Sequence, residues 1–144
     1  MKYYPLRRVR TVLLICGFAS LLASCPVPST TANYIGNWLN DDPNTSGVAQ
    51  LIILPDTYDH VKVLGFGSCS PINCIWGEAT ALFERDPQQH DWEVWATYTF
   101  DNQTIDLFMQ VDKSTGHMSV TTEVDYVSPQ YQDYAFTESF HRAL

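Results

Sequence analysis

Apolar and polar residues alternate along most of the chain after residue 33, and no convincing helical periodicity interrupts them. This alternation is typical of half-buried β-strands, whose successive side chains point to opposite faces. In the segment 92–100, for example, the apolar residues share one face and Glu93, Trp95, Thr97 and Thr99 share the other. The predicted strands cover residues 34–40, 48–54, 60–66, 75–83, 92–100, 103–111, 117–126 and 134–140.

Short connections separate these strands, including the turn-rich segment 41–47 and a two-residue hairpin turn at Asp101-Asn102. Connections of this length favour antiparallel neighbours, because a parallel return needs a long crossover. An eight-stranded antiparallel meander loses its exposed edges when it closes, so we expect an up-and-down β-barrel. A two-sheet β-sandwich is the alternative. Gly77, inside the fourth strand, predicts a β-bulge or a close backbone contact.

The first strand carries Gly36-Asn37-Trp38, which resembles the Gly-x-Trp signature that opens the first strand of lipocalins and related eight-stranded barrels. The resemblance implies that a basic residue at the end of the last strand packs over the tryptophan. Arg142 is the only Lys or Arg after Lys113. Trp38 and Arg142 are therefore expected to close the floor of the barrel through a cation–π contact. The alternative for Trp38 is an ordinary core aromatic.

The likeness to lipocalins is partial. The chain lacks the lipocalin Thr-Asp-Tyr element, and its length is nearer that of avidin-like barrels. The spacing of Gly36, Trp38 and Asn40, followed by Cys69, Cys74 and Trp76-Gly77, is similar to a pattern in uncharacterised exported bacterial proteins. That similarity implies export but no activity.

The N-terminal segment has the organisation of an export signal. Four cations (Lys2, Arg7, Arg8 and Arg10) precede an apolar run over residues 12–22, which is too short to span a bilayer as a settled helix. The next residues complete Leu22-Ala23-Ser24-Cys25, which resembles the lipobox of bacterial lipoproteins. The resemblance implies removal of residues 1–24 and acylation of Cys25. An ordinary signal peptide with a chance cysteine, or a retained signal anchor, is the alternative.

This interpretation places the mature protein in the bacterial cell envelope, tethered to a membrane by acyl chains on Cys25, with inner and outer membrane equally open. Two or more acyl chains make a stable anchor, whereas one chain binds only marginally. Residues 25–32, rich in Pro, Ser and Thr, are predicted to form a short extended tether. Residues 33–144 then form the single β-barrel domain.

Charge narrows the choice of partners. The chain has eight Lys and Arg against sixteen Asp and Glu, and four of those cations leave with the signal, so the mature net charge is about 4 minus 16, or −12. Such a surface repels phosphates and anionic headgroups, which makes nucleic-acid binding an unfavoured function.

Two cysteines, Cys69 and Cys74, remain for the folded domain. In an exported protein, a close even pair is most simply a disulfide. A redox dithiol usually has two intervening residues and a following helix, whereas this pair has four and strand-like flanks. The histidines (His60, His90, His117 and His141) are scattered singly, so the sequence predicts neither a metal site nor a cofactor.

Two kinds of function remain open. The first is a tethered barrel that binds a small apolar ligand or acts structurally in the cell envelope, since the aromatics expected inside are suited either to line a cavity or to fill it. They are Trp92, Tyr98, Phe100, Tyr134, Phe136 and Phe140. A protein-interaction module, such as a periplasmic inhibitor of a protease or of lysozyme, is the second, with Trp76 and Trp95 as outward-facing contacts. Catalysis is not expected, because the chain has no Ser elbow, no paired metal histidines and no phosphate loop. Strand carboxylates such as Glu78 and Glu93 are most simply interpreted as part of a solvent-exposed face.

Overall fold

The computed structural model describes residues 29–57, 59–70, 72–85 and 92–143. Within these ranges one short helix precedes eight β-strands. The elements are α1 (Ser29–Ala32), β1 (Gly36–Asn40), β2 (Val48–Pro55), β3 (His60–Gly67), β4 (Cys74–Arg85), β5 (Trp92–Thr99), β6 (Gln103–Val111), β7 (Met118–Tyr126) and β8 (Tyr134–Arg142). All eight predicted strands are present, with ends shifted by a few residues at most.

The strands form a closed barrel in which each pairs antiparallel with the next and β8 returns to β1. Closure is made by three register pairs, Trp38 with Arg142, Leu39 with His141 and Asn40 with Phe140. The predicted up-and-down barrel is therefore confirmed, and the two-sheet sandwich is not adopted. Closure satisfies the backbone groups that a sandwich would leave at its sheet edges.

The core lies inside the barrel and follows the predicted apolar faces. On β5, β6 and β7 the inward residues alternate with exposed or half-buried ones, and Val94, Leu107 and Val120 have no solvent exposure. Trp38 and Phe140 are the largest fully buried side chains among the described residues. Tyr98 is also buried, and its hydroxyl donates a hydrogen bond to the Val63 carbonyl at 2.7 Å. Burial raises the pKa of the Tyr98 phenol, so this donor stays protonated.

A β-bulge interrupts β4 at the predicted place. Gly65 of β3 pairs with Gly77, but the next residue, Phe66, pairs with Ile75, so Trp76 is the additional residue. Gly77 has a φ of 101°, a conformation that L side chains rarely adopt. The bulge turns the Trp76 ring inward, where it packs edge-on against Tyr98 at a ring distance of 5.5 Å. The expectation that Trp76 faces outward is wrong, because a one-residue insertion reverses the faces of a strand.

The end of the predicted tether is also different. Ser29–Ala32 form a helical turn rather than an extended segment, and the Thr31 carbonyl accepts a hydrogen bond from the Tyr34 N–H at 2.9 Å. Tyr34 is buried, and its ring meets Phe83 edge-on at 5.2 Å. The chain is thus attached to the barrel from Thr31 onward. Cys25 and the predicted signal sequence lie outside the described residues.

Candidate functional site

One end of the barrel is closed by the start of β1 and the end of β8. The Trp38 indole N–H donates to the Tyr34 carbonyl at 2.7 Å, and the Arg142 guanidinium carbon lies 4.8 Å from the centre of the Trp38 ring. Arg142 also donates a hydrogen bond to the Asn33 carbonyl. The structure therefore brings the two residues of the predicted barrel floor into direct contact. A guanidinium over an indole contributes about 0.5–2 kcal/mol.

The other end is formed by the connections 41–47, 68–73, 100–102 and 127–133, because antiparallel strands alternate in direction around the barrel. A cavity of about 190 Å³ enters the barrel there. Its wall combines polar groups, which form the larger part of the exposed lining, with aromatic and aliphatic side chains. The lining residues are Ser46, Gly47, Gly67, Ser68, Cys69, Trp76, Gln103, Ile105, Thr122, Val124, Tyr134 and Phe136.

A second cavity, of about 300 Å³, lies beside the first between the 41–47 connection and β8. Its lining is more polar and includes two carboxylates. The residues are Asp42, Asn44, Thr45, Ser46, Gly47, Tyr134, Phe136 and Glu138. Four of them, Ser46, Gly47, Tyr134 and Phe136, also line the first cavity. The two spaces are therefore adjacent parts of one mouth, which we call the barrel mouth.

Gly47 lets the 41–47 connection lie directly on β8. A β-carbon at position 47 would come within 2.7 Å of the Phe136 ring and within 2.9 Å of Glu138 Oε2. These distances are shorter than real carbon contacts, so any larger residue forces the connection or the ring to move. The Gly47 carbonyl also accepts a hydrogen bond from the Ser68 N–H at 2.9 Å. The connection thus covers one side of the barrel mouth.

Two buried polar atoms at the barrel mouth have no hydrogen-bond partner. They are Glu138 Oε2 and the hydroxyl of Thr122, and no other buried side-chain nitrogen or oxygen of the described residues is unpaired. Glu138 Oε1, by contrast, accepts a hydrogen bond from the Thr45 hydroxyl. Thr122 is only 1% exposed. Buried polar groups without partners are uncommon, and each costs about 1–3 kcal/mol. Sequence patterning did not identify either residue as part of a site.

The disulfide borders the same region. Cys69 and Cys74 are joined, with their α-carbons 5.5 Å apart, and Cys69 contributes to the smaller cavity. The bridge closes the 68–73 connection, which meets the 41–47 connection through the Ser68–Gly47 hydrogen bond. The disulfide therefore holds one wall of the barrel mouth in place.

Some of the aromatic residues expected inside the barrel fill its core, and others line the barrel mouth. Tyr98 and Phe140 belong to the packed core, and Phe100 packs partly buried against it. Tyr134 and Phe136 instead line both cavities, with their rings stacked at 5.9 Å. The side chain of Trp92 lies outside the described residues. The barrel is thus filled toward its closed end and open at its mouth.

A polar cluster lies on the outer surface. Asp41 Oδ1 is 2.6 Å from His141 Nδ1, and Asp41 Oδ2 is 3.1 Å from His117 Nδ1. A hydrogen bond with Ser139, together with those to the two histidines, lowers the pKa of the Asp41 carboxyl. The Ser139 hydroxyl lies 3.5 Å from the same His117 nitrogen that contacts Asp41. A Ser-His-Asp triad needs its serine and its carboxylate on opposite ring nitrogens, so this cluster is not one.

The strand carboxylates Glu78 and Glu93 both lie on the outside of the barrel. Glu78 lies on the outer face, where it pairs with Lys62 at 3.0 Å, and Glu93 precedes the inward Val94 and so also points outward. The two carboxylates do not face each other across the interior. Across the described part of the chain, no three His, Cys, Asp or Glu side chains are grouped so that they could hold a metal ion.

An apolar row crosses the outside of β4, β5 and β6. Leu82 pairs with Trp95, and Trp95 pairs with Phe108. The Trp95 and Phe108 rings stack at 5.4 Å, and Trp95 remains 41% exposed. Trp95 therefore lies on the outer face, as its place in the alternation predicts.

The fold and the barrel mouth define a small closed up-and-down β-barrel with a cavity at one end. Comparison of the chain with protein-family models, with curated proteins and with solved structures found no match. Among the described residues, no helix has the length and apolar character needed to cross a membrane.

Proposed function

We propose that this protein is a lipid-anchored lipoprotein of the bacterial cell envelope whose barrel binds a small ligand at its mouth. The observation that carries the proposal is the pair of adjoining cavities, of about 190 and 300 Å³, at one end of the barrel. An eight-stranded barrel has room inside for side chains or for one small ligand.

The shape and chemistry of the barrel mouth support a ligand of modest size. Ligand sites in proteins are commonly clefts of about 300–1,000 Å³ with apolar walls and a few directional polar groups. Here Trp76, Tyr134 and Phe136 supply apolar surface, and polar groups, including those of Gln103 and Thr122, supply the larger part of the exposed lining. The combined space lies at the lower end of that range, which favours a single-ring molecule over a long lipid.

The lipobox resemblance at Cys25 supports the anchor, and the path of the chain sets how far the barrel would lie from it. Thr31, six residues after Cys25, is already buried against the barrel. Six residues span at most about 20 Å, so an acylated Cys25 would hold the domain near the membrane surface. The chain enters at the closed end, so the barrel mouth would open away from the anchor.

Two experiments test the proposal. Trp76 lies in the wall of the cavity and Trp95 on the outside, so quenching of tryptophan fluorescence by a panel of single-ring aromatic ligands should disappear in Trp76→Phe and persist in Trp95→Phe. An unchanged signal from the wild-type protein across the panel would argue against ligand binding. For the anchor, Cys25→Ala should abolish labelling by a fatty acid and globomycin should cause the precursor to accumulate. Continued labelling of the variant would overturn it.

A second candidate is a protein-interaction module, favoured by the row of Leu82, Trp95 and Phe108 on the outer face. Aromatic residues are enriched in the centres of protein interfaces. The acidic surface suits a basic partner such as lysozyme. Capture of a basic envelope protein that is lost in Trp95→Ala, but retained in Trp76→Phe, would favour this function over ligand binding.

A further inference from the structure

The charge of the barrel mouth restricts what can bind there. Asp42 and Glu138 line the larger cavity, and none of its lining residues is Lys, Arg or His. An anionic ligand would meet two carboxylates and no counter-charge. A cation would meet both carboxylates without displacing an existing ion pair. The lining therefore selects against anions before any specific contact is considered.

Glu138 adds an independent observation. Its Oε1 is occupied by the Thr45 hydroxyl, but its Oε2 is fully buried and has no donor. A carboxylate oxygen accepts hydrogen bonds and cannot donate them. The missing partner must therefore be a donor. The buried Thr122 hydroxyl, at the adjoining cavity, is likewise unpaired.

The aromatic wall is suited to the same kind of ligand. Tyr134 and Phe136 stack with an interplanar angle of 16°, and Tyr134 remains 50% exposed. The faces of such rings attract cations, and their edges pack against another ring. A molecule with an ammonium group and one aromatic ring would match both the carboxylates and this wall.

We infer that the ligand of the barrel mouth is a small aromatic amine, bound as its ammonium ion by Glu138 with its ring against Tyr134 and Phe136. This inference rests on the proposed ligand-binding function. Glu138 Oε2 lies under Gly47, so the amine reaches it when residues 45–47 shift and Thr45 releases Oε1. An ammonium group offers three donors where the Thr45 hydroxyl offers one, and this difference favours the exchange.

The test uses protein purified from its full-length chain in a neutral detergent, with a detergent blank, and three matched probes in isothermal titration calorimetry at pH 7. The probes are phenethylamine, phenethyl alcohol and phenylacetate, which share a ring and differ in charge. We expect phenethylamine to bind at least about tenfold more tightly than the alcohol, and phenylacetate to bind more weakly than either.

Three variants locate the effect. Glu138→Gln keeps an acceptor for Thr45 but removes the charge, and should bring the amine and the alcohol to within about threefold of each other. Glu123→Gln, the same change at an exposed outer position of β7, should leave the preference intact. Thr45→Val removes the competing hydroxyl and should tighten amine binding, which provides a readout if Glu138→Gln does not fold.

The outcomes separate the inference from the proposed function. Equal binding of amine and alcohol, with the Trp76 fluorescence response retained, would overturn the amine and leave ligand binding in place. An amine preference that survives in Glu138→Gln, or is lost in Glu123→Gln, would overturn the assignment to the barrel mouth. Failure of all three probes together with an unresponsive Trp76 would overturn both.

Discussion

Arg142 and Trp38 are register partners between the last and the first strand, and the guanidinium carbon lies 4.8 Å from the centre of the indole ring. The contact joins residues that are distant in the sequence, at the line where the barrel closes. Arg142 also bonds to the Asn33 carbonyl, just before β1. One side chain thus ties together the end of the barrel and the chain that leads into it.

Arg142→Ala should destabilise the domain by about 1–3 kcal/mol, because it removes the cation–π contact and the hydrogen bond to Asn33. Arg142→Lys keeps a charge but loses the planar group, so its stability should lie between that of Arg142→Ala and that of the wild type. Urea unfolding followed by far-UV circular dichroism measures the difference. Lys113→Ala, at an exposed turn, is the matched control and should change stability by less than about 0.5 kcal/mol. A loss for Arg142→Ala no larger than that of the control would contradict the floor-closing role.

Thr122→Val should stabilise the protein by about 1–2 kcal/mol. The Thr122 hydroxyl is buried without a partner, and valine replaces it with a methyl group of the same shape. The neighbouring Thr121 provides the control, because its hydroxyl is 2.9 Å from that of Thr137 on the outer face. Thr121→Val should be neutral or slightly destabilising. Thermal unfolding of both variants distinguishes the two positions, and destabilisation by Thr122→Val would indicate that the hydroxyl has a partner in solution.

Replacing Cys69 and Cys74 together by serine should destabilise the domain by about 2 kcal/mol, the chain-entropy value for closing so short a loop. The disulfide borders the barrel mouth, so the same change should also weaken binding there. Reduction of the wild type with dithiothreitol serves as the control, since it should reproduce the loss and leave the double variant unaffected. Free thiols in unreduced wild-type protein, detected by mass after alkylation, would contradict the bridge.

The Asp41 cluster predicts a small dependence of stability on pH. Hydrogen bonds with Ser139, His141 and His117 lower the pKa of the Asp41 carboxyl below the ordinary aspartate value of 3.8. A carboxyl with a lowered pKa contributes stability that is fully present above its unfolded value and is lost as the pH falls through its folded value. The contribution should therefore begin to fall below about pH 4 and be lost progressively at lower pH. Because the group lies at the surface, its size should be less than about 1 kcal/mol.

Asp41→Asn removes this contribution, so the stability difference between variant and wild type should be largest near neutral pH and shrink toward pH 3. Chemical denaturation at a series of pH values measures it. Asp101→Asn is the control, because Asp101 is solvent-exposed in the turn between β5 and β6. A difference that stays constant from pH 7 to pH 3 would show that the Asp41 carboxyl is not held ionised by its neighbours.

The number of strands and most of their faces could be predicted from the sequence, which also favoured a closed barrel over a two-sheet sandwich. Alternation with a period of two is a local property of the chain. The short connections favour antiparallel neighbours, because a parallel return needs a long crossover. The inward positions of Val94, Leu107 and Val120 follow directly from the alternation. The Cys69–Cys74 disulfide and the bulge at Gly77 could also be predicted, because both depend on residues close together in the sequence.

The barrel mouth and the outer Asp41 cluster form through contacts between residues far apart in the sequence. Gly47 rests on Phe136 and Glu138, and Asp41 meets His141, although each contact spans about ninety to one hundred residues. Such contacts depend on the register at which β8 returns to β1, and no local pattern encodes that register. The bulge shows the same limit, since the position of Gly77 indicated an irregularity but only the pairing of β3 with β4 turned Trp76 inward.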